Sequence, residues 1–415
     1  MSARFFLPAL LGTIALACSS DESTSRWTST VDTLENGTVL ISNPSTGLLG
    51  AEPWPLVEES KIGSVEGDGP ETFGAVVAIE VDRLGRIYVL DRQAQEVRVF
   101  EADGRYVRTM GRMGEGPGEF RGANGMGWGA PNRLWVVDKR LHRFNVFDTS
   151  GVSVATYRAP MTVRAWSWLG SFSADGDAYD VGVDINDPEY LERAGDRRPP
   201  RIFLRFDRTL TQWADTFPAP PSDFQPEIFD WTDSRGIGRI MQIPYAPQAI
   251  RQFSPEPHVW TGISNQYRIY QLTLLGDTLR AIEREYSPIS VSPEEREAAL
   301  EQVRDAAAGM PFDASRIPAT KPAFVRFEVD EHGALWVLLP YDAGRAVTAF
   351  DIFDVQGQYL GQVSTPYRVY QYARFVVRQG KLYFVAVDDL DVPYVITTSV
   401  EERLGDARGI QLSNG

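Results

Sequence analysis

Apolar and polar residues between positions 63 and 151 follow one pattern written twice. Ile87-Tyr88-Val89-Leu90-Asp91 is matched by Leu134-Trp135-Val136-Val137-Asp138, and Val97-Arg98-Val99-Phe100 by Phe144-Asn145-Val146-Phe147, each at an offset of 47 residues. The turn glycines Gly104 and Gly151 keep the same offset. Short β-branched and aromatic runs bounded by Gly and Asp predict strands, and self-similarity at this period predicts one small sheet per repeat. In the first copy the strands are residues 76–81, 86–90, 96–100 and 106–110; the second copy runs from Gly125 to Tyr157. A glycine-rich loop precedes each: Gly67-Asp68-Gly69-Pro70-Glu71-Thr72-Phe73, then Gly114-Glu115-Gly116-Pro117-Gly118-Glu119-Phe120.

The same skeleton continues with longer loops. Ala178-Tyr179 with Ile202-Phe203-Leu204-Arg205-Phe206 marks a third blade, and His258-Val259-Trp260 with Tyr267-Arg268-Ile269-Tyr270 a fourth. Leu335-Trp336-Val337 with Phe350-Asp351-Ile352-Phe353 marks a fifth. The sixth, Phe375-Val376-Val377, Lys381-Leu382-Tyr383-Phe384-Val385 and Tyr394-Val395-Ile396-Thr397, lacks a fourth strand. Residues 54–63 read as an orphan strand ahead of the first full repeat. Pairing it with residues 394–399 would close the ring and remove two exposed sheet edges. One segment breaks the pattern: Ser292-Pro293-Glu294-Glu295 is an N-cap, a first-turn proline and a capping-box glutamate, followed by the stripe Ala299, Leu300, Val303, Ala307. It predicts one amphipathic helix, a surface element within a long loop.

The glycine-rich loop, the apolar-Tyr-Val-x-Asp strand and the apolar-x-Val-Phe strand together resemble the NHL-repeat group of β-propellers, closely over two blades and more loosely beyond. The expected fold is therefore all-β: a six-bladed β-propeller closed by an N-terminal strand, with one inserted helix between blades four and five. The expected division is a signal peptide over 1–17, an anchor and polar linker over 18–50, the propeller over 51–403 and a tail over 404–415.

Turns joining first to second and third to fourth strands are short, whereas the insertions at 182–200, 218–248, 286–322 and 340–347 all fall on the other face. Insertions gathered on one face mark a binding surface. Loops and strand starts there carry Arg121, Arg164, Tyr245, Gln248, Arg251, Lys321, Arg326, Tyr370 and Arg374 as candidate ligand contacts. Converging arginines in a chain of net charge −15 favour an anionic ligand, because a guanidinium offers a two-pronged donor to a carboxylate. The bland alternative is rim cations paired with neighbouring acids.

Charge and composition exclude other classes. A chain of net charge −15 without a dense Lys/Arg run lacks the footprint of a nucleic-acid binder. The three histidines form no metal-ligand spacing, and no nucleophile elbow is present. Gly125-Met126-Gly127-Trp128-Gly129 mimics a dinucleotide fingerprint, but a strand rather than a helix follows, so these glycines are expected to let an inner strand pack near the axis. No cofactor is expected. The oxygen-rich run Asp388-Asp389-Leu390-Asp391 suits calcium, an ion that propeller lactonases hold in their channel, but solvated turns are the simpler reading there and at Asp175-Gly176-Asp177. The role expected is a ligand-binding or protein-interaction module, monomeric, for a small molecule or peptide; the alternative is a metal-dependent hydrolase or lactonase using carboxylates such as Asp330 or Asp388.

The first residues set the compartment. Arg4 followed by the apolar run 5–16 is too short to span a bilayer and reads as an export signal. Cys18, the single cysteine, stands directly after it and resembles the acylated cysteine of a bacterial lipoprotein, although Ala15 and Leu16 depart from the usual box. The resemblance implies a lipid anchor in the cell envelope, at the outer membrane or in the periplasm; ordinary cleavage after Ala17 is the competing reading.

Overall fold

The alternating apolar pattern is realised as six small antiparallel sheets. The computed structural model describes residues 29–129, 132–158, 168, 170–173, 177–184, 200–206, 213–220, 224–233, 235–254, 256 and 258–399. Blade one consists of Val76–Val81, Ile87–Asp91, Glu96–Phe100 and Tyr106–Met110. Blade two consists of Ala123–Gly129, Arg133–Asp138, Arg143–Asp148 and Ser153–Arg158, and blade three of Ser171–Phe172, Ala178–Val183, Arg201–Phe206 and Trp213–Pro218. Blade four comprises Ala249–Phe253, His258–Ile263, Arg268–Thr273 and Thr278–Arg284; blade five comprises Arg326–Val329, Leu335–Leu338, Thr348–Phe353 and Tyr359–Thr365. In blade six, Arg368–Val369 and Val376–Arg378 both pair with Lys381–Val387, which pairs with Pro393–Ser399.

The N-terminal segment, which reads as strands at residues 38–41 and 54–63, is distributed over three blades. Val39–Asn43 joins blade four in parallel to Thr278–Arg284, with Thr30–Thr33 outside it. Trp54–Pro55 lies parallel to the outer strand of blade five, and Val57–Ile62 runs antiparallel to Pro393–Ser399. The orphan strand of residues 54–63 is therefore two strands on two blades. The break follows from Leu56, whose side chain is buried among Trp336, Phe350 and Phe384 between blades five and six, while Ile62 is buried between blades six and one.

Hydrophobic burial is concentrated in the seams between blades. Tyr88, Leu90 and Val99 of blade one meet Met126, Leu134 and Phe147 of blade two, and Trp135 and Phe144 of blade two meet Phe172 and Phe206 of blade three. Comparable seams join the remaining pairs, including Tyr383 and Val385 of blade six against Ile79 and Val89 of blade one. Each sheet thus buries both faces, which is why its middle strands read as near-continuous apolar runs. The glycines of Ala123–Gly129 serve this packing: a Cβ on Gly125 would lie 2.2 Å from the Cβ of Trp168, and one on Gly127 3.0 Å from the ring of Phe172. Gly125→Ala is expected to cost about 2 kcal/mol by forcing Trp168 outward; urea unfolding measures it, and an unchanged midpoint would contradict this seam.

Aspartates set the turns. Asp82, Asp148, Asp330 and Asp354 each accept two backbone N–H groups two and four residues on, at 2.8–3.1 Å. A short carboxylate folds the chain back on itself in this way, and the glycine of each turn takes the positive φ. The repeated strand-end aspartates act differently: buried Asp91 accepts from the N–H groups of Gly74, Ala75, Gln93 and Ala94, and Asp138 from those of Arg121, Arg140 and Leu141. They tie the glycine-rich loop to the strand ends.

Candidate functional site

The inner strands bring charge to the axis of a fold whose seams are mostly apolar. In Arg326–Val329, strand alternation sets Arg326 and Glu328 on the face opposite Phe327, which is fully buried between blades four and five. Arg374 comes from the loop before Val376–Arg378, held by the Tyr370 N–H on the Val385 carbonyl and by buried Ala373 and Phe375. Its guanidinium grips Glu328 with both prongs, Nε to Oε1 at 2.9 Å and Nη2 to Oε2 at 2.7 Å. Its remaining nitrogen, Nη1, reaches the Gly170 carbonyl of blade three at 3.3 Å. Blades three and six lie opposite each other in the ring, so this one side chain crosses the axis.

Three further groups complete the axial cluster. Arg326 donates to the Gln371 carbonyl at 3.4 Å and stands 4.0 Å from Glu328, while its Nε is buried without a hydrogen bond. Arg378 donates to the Val81 carbonyl at 3.0 Å and lies 3.8 Å from Glu331. Glu80, beside Val81, faces Arg374, Arg378 and Glu328. Burial raises its carboxyl to about 7, against the pull of the two guanidinium groups and with a small push from Glu328. Burial lowers the Arg326 value, which Glu328 only partly offsets; at Arg374 burial is outweighed by Glu328, and the value rises. The cluster holds three guanidinium groups against two carboxylates, one of which is poised to be neutral near neutral pH.

Of the candidate contacts, Arg326 and Arg374 come together here, and Tyr370 belongs to the same loop, its ring edge-on to the half-exposed Tyr372 at 5.4 Å. The others are engaged elsewhere. Arg121 is exposed, with Nε 3.5 Å from Glu115. Arg251 donates to the carbonyls of Pro220 and Ala219, and burial together with Arg201 pushes it down to about 10. Lys321 is buried, donating to Glu295 at 2.5 Å and to the Tyr341 carbonyl at 2.6 Å. Gln248 donates its backbone N–H to the Ser264 hydroxyl at 2.9 Å, and its side chain meets that of Gln242. Arg164 and Cys18 lie outside the described residues. Glu80, Glu328 and Arg378 were missed, although a charged residue in an apolar inner strand such as Val76-Val77-Ala78-Ile79-Glu80-Val81 is a readable signal.

Two insertions fold together. The helix Pro293–Ala307 has the full capping box at Ser292 and Glu295, with Val303 and Ala307 buried. It packs on the hairpin formed by Ile228–Thr232 and Gly238–Gln242, sharing a core of Phe229, Trp231, Ile243 and Ile317. Tyr245 joins this core at φ +60°, its hydroxyl 3.5 Å from the Glu295 carbonyl. Lys321 is the buried tie that holds the helix to blade five through Tyr341.

The carboxylates considered for metal-assisted hydrolysis serve the backbone. Asp330 closes its turn and receives the Trp336 indole N–H at 3.4 Å; Asp388 accepts from the N–H groups of Leu390 and Val392 and from the Tyr394 hydroxyl. Among the described residues no group of three or more His, Cys, Asp or Glu side chains converges. The described residues therefore offer no carboxylate or histidine set of that size to a channel-bound ion.

A family model described as 6-bladed beta-propeller matches residues 71–169. No curated protein matches the sequence. Among solved structures, a Bacteroides fragilis protein of inferred export is similar at 12% identity and TM-score 0.46, covering 87% of this chain and 99% of that one. Virginiamycin B lyase from Staphylococcus aureus is similar at 9% identity and TM-score 0.41, covering 78% and 94%. A DUF4221-family protein from Bacteroides vulgatus is similar at 11% identity and TM-score 0.40, covering 83% and 94%. The chain is an all-β six-bladed propeller that carries a single helix among its described residues. No described helix is long and apolar enough to cross a membrane.

Proposed function

We propose that this protein is an exported, lipid-anchored propeller of the NHL-repeat kind that binds a small anionic ligand, a carboxylate-bearing molecule or peptide end, at the axial arginines. The observation that carries the reading is the partly exposed guanidinium of Arg326, whose buried Nε has no hydrogen bond, beside the Arg374 fork that Glu328 occupies. Unsatisfied buried donors are costly, and an anion reaching them recovers that cost. Tyr370 and Tyr372 at the same loop, their rings edge-on to each other, supply aromatic surface for the body of such a ligand. Ring closure through Val57–Ile62 and placement of the helix between blades four and five belong to the same reading. So do acylation of Cys18, a cell-envelope location and a monomeric state.

The test is a thermal-shift and calorimetry series with sulfate, oxalate and a short peptide bearing a free C-terminus. The wild-type protein is expected to bind at least one of them, and Arg326→Ala with Arg374→Ala to lose that binding by more than about tenfold, the worth of one charge-assisted contact. A double variant that changes stability yet binds as the wild type does would end the proposal.

A further inference from the structure

We propose that the axial site takes up its anion together with a proton on Glu80, so that the ligand is held in mildly acidic surroundings and released as Glu80 ionises. The inference rests on the anionic-ligand reading and adds its regulation. Its basis is the arrangement of the axis. Blade six contributes Arg374 and Arg378, blade five contributes Arg326 and Glu328, and blade one contributes Glu80. Blade two packs its inner strand Ala123–Gly129 beside Val76–Val81, and that strand carries no titratable side chain.

The acids are unequal. Glu328 receives two short hydrogen bonds from Arg374, whereas Glu80 feels its neighbours only through space and receives no hydrogen bond from a described residue. Glu80 is therefore the group whose charge is least secured. With Glu80 ionised, the five groups sum to one positive charge, and with it protonated to two; Glu331, 3.8 Å from Arg378, lowers each sum by one. A bound anion that draws on Arg374 weakens the field favouring the Glu80 carboxylate, to which Arg374 contributes more than Arg378, and Glu80 then takes a proton from solvent. Linkage makes the effect reciprocal: whatever raises proton affinity on binding makes binding tighter at lower pH.

The sign in the ligand-free protein follows from the same group. Its folded value, raised to about 7, exceeds the ordinary carboxylate value, so between the two the folded chain holds a proton that the unfolded chain has lost. Stability contributed by the neutral carboxyl is full below the ordinary value and falls as pH rises through the window, levelling above about 7.

Two measurements decide it. Melting of the ligand-free protein from about pH 5 to about pH 8 is expected to show this decline in the wild type and to lose it in Glu80→Gln, which keeps the neutral shape. Calorimetry with sulfate and oxalate, whose charges are constant between about pH 6 and about pH 8, is expected to show wild-type affinity falling roughly tenfold per pH unit above about pH 7, and Glu80→Gln holding its affinity throughout. Binding that is independent of pH in both proteins would overturn the proton linkage while leaving the anion site standing. Failure of both probes to bind at any pH, in a protein that melts as expected, would instead remove the anion reading and the linkage with it. Identical melting profiles for wild type and Glu80→Gln would overturn the linkage without reference to any ligand.

Discussion

Deleting residues 50–63 is expected to leave a protein that is unfolded or aggregated. Val57–Ile62 supplies the outer neighbour of Pro393–Ser399 over five residue pairs, from Val57 with Ser399 to Ile62 with Val395. Its loss strips a ladder from the last blade and withdraws Leu56 and Ile62 from two different seams. Each buried aliphatic contributes about 2 kcal/mol, and lost backbone pairing and a bare edge add to that, so the total approaches the whole stability of an ordinary domain. The newly exposed strand is rich in β-branched residues, Val395, Ile396, Thr397 and Thr398, which makes intermolecular pairing the expected fate. Soluble yield, size-exclusion profile and far-ultraviolet dichroism measure it. A soluble, monomeric deletion variant with native melting would overturn closure through this strand and the six-blade ring that depends on it.

Asp351→Ala is expected to lose about 4 kcal/mol, the scale for removing one partner from a buried, hydrogen-bonded charge pair. Asp351 is fully buried between blades four and five, where it accepts from the hydroxyls of Tyr267 at 2.6 Å and Tyr359 at 2.9 Å and from the Gln362 amide at 3.0 Å. Arg284 completes the set at 3.0 Å, its guanidinium centred 5.0 Å and 4.6 Å from the Tyr267 and Tyr359 rings. Burial, then the Asp351 charge, drives both tyrosines above their ordinary values, so they remain donors at any working pH. Removing the carboxylate leaves a buried cation and two buried hydroxyls without their acceptor. Denaturant unfolding checks it, with Asp351→Asn losing less because it keeps one acceptor. A loss below about 1 kcal/mol would mean that Arg284 finds water instead, and the seam would be looser than drawn.

The blades were legible because their cause is local. Alternating and continuous apolar runs, turn aspartates such as Asp82 and Asp354 and positive-φ glycines such as Gly104 and Gly151 act within a few residues of themselves, so the 47-residue repeat announces the architecture. The capping box at Ser292 and Glu295 is local in the same sense. The N-terminal strands were read less well. Val39–Asn43 opens on an apolar run and Val57–Ile62 is largely polar, and only distant partners, Thr278–Arg284 and Pro393–Ser399, decide where each one pairs.

The candidate site was half legible. Arg326 and Arg374 can be picked out as cations near inner strands, but Lys321 and Arg251 carry the same signal and are instead spent on Glu295 and Tyr341, or on the carbonyls of Pro220 and Ala219. A charged side chain declares its chemistry in the sequence and not its partner, because the partner is set by side chains that meet across the ring.

The chain by itself determined the all-β class, the blade repeat, the turn chemistry and the helix, since each depends on residues close together along the backbone. Only the tertiary structure decided which charges face the axis, that Arg374 spans it to Gly170, and that Glu80 lies among guanidinium groups from another blade. Those facts depend on residues up to 298 positions apart, and distance along the chain carries no record of proximity across a closed ring.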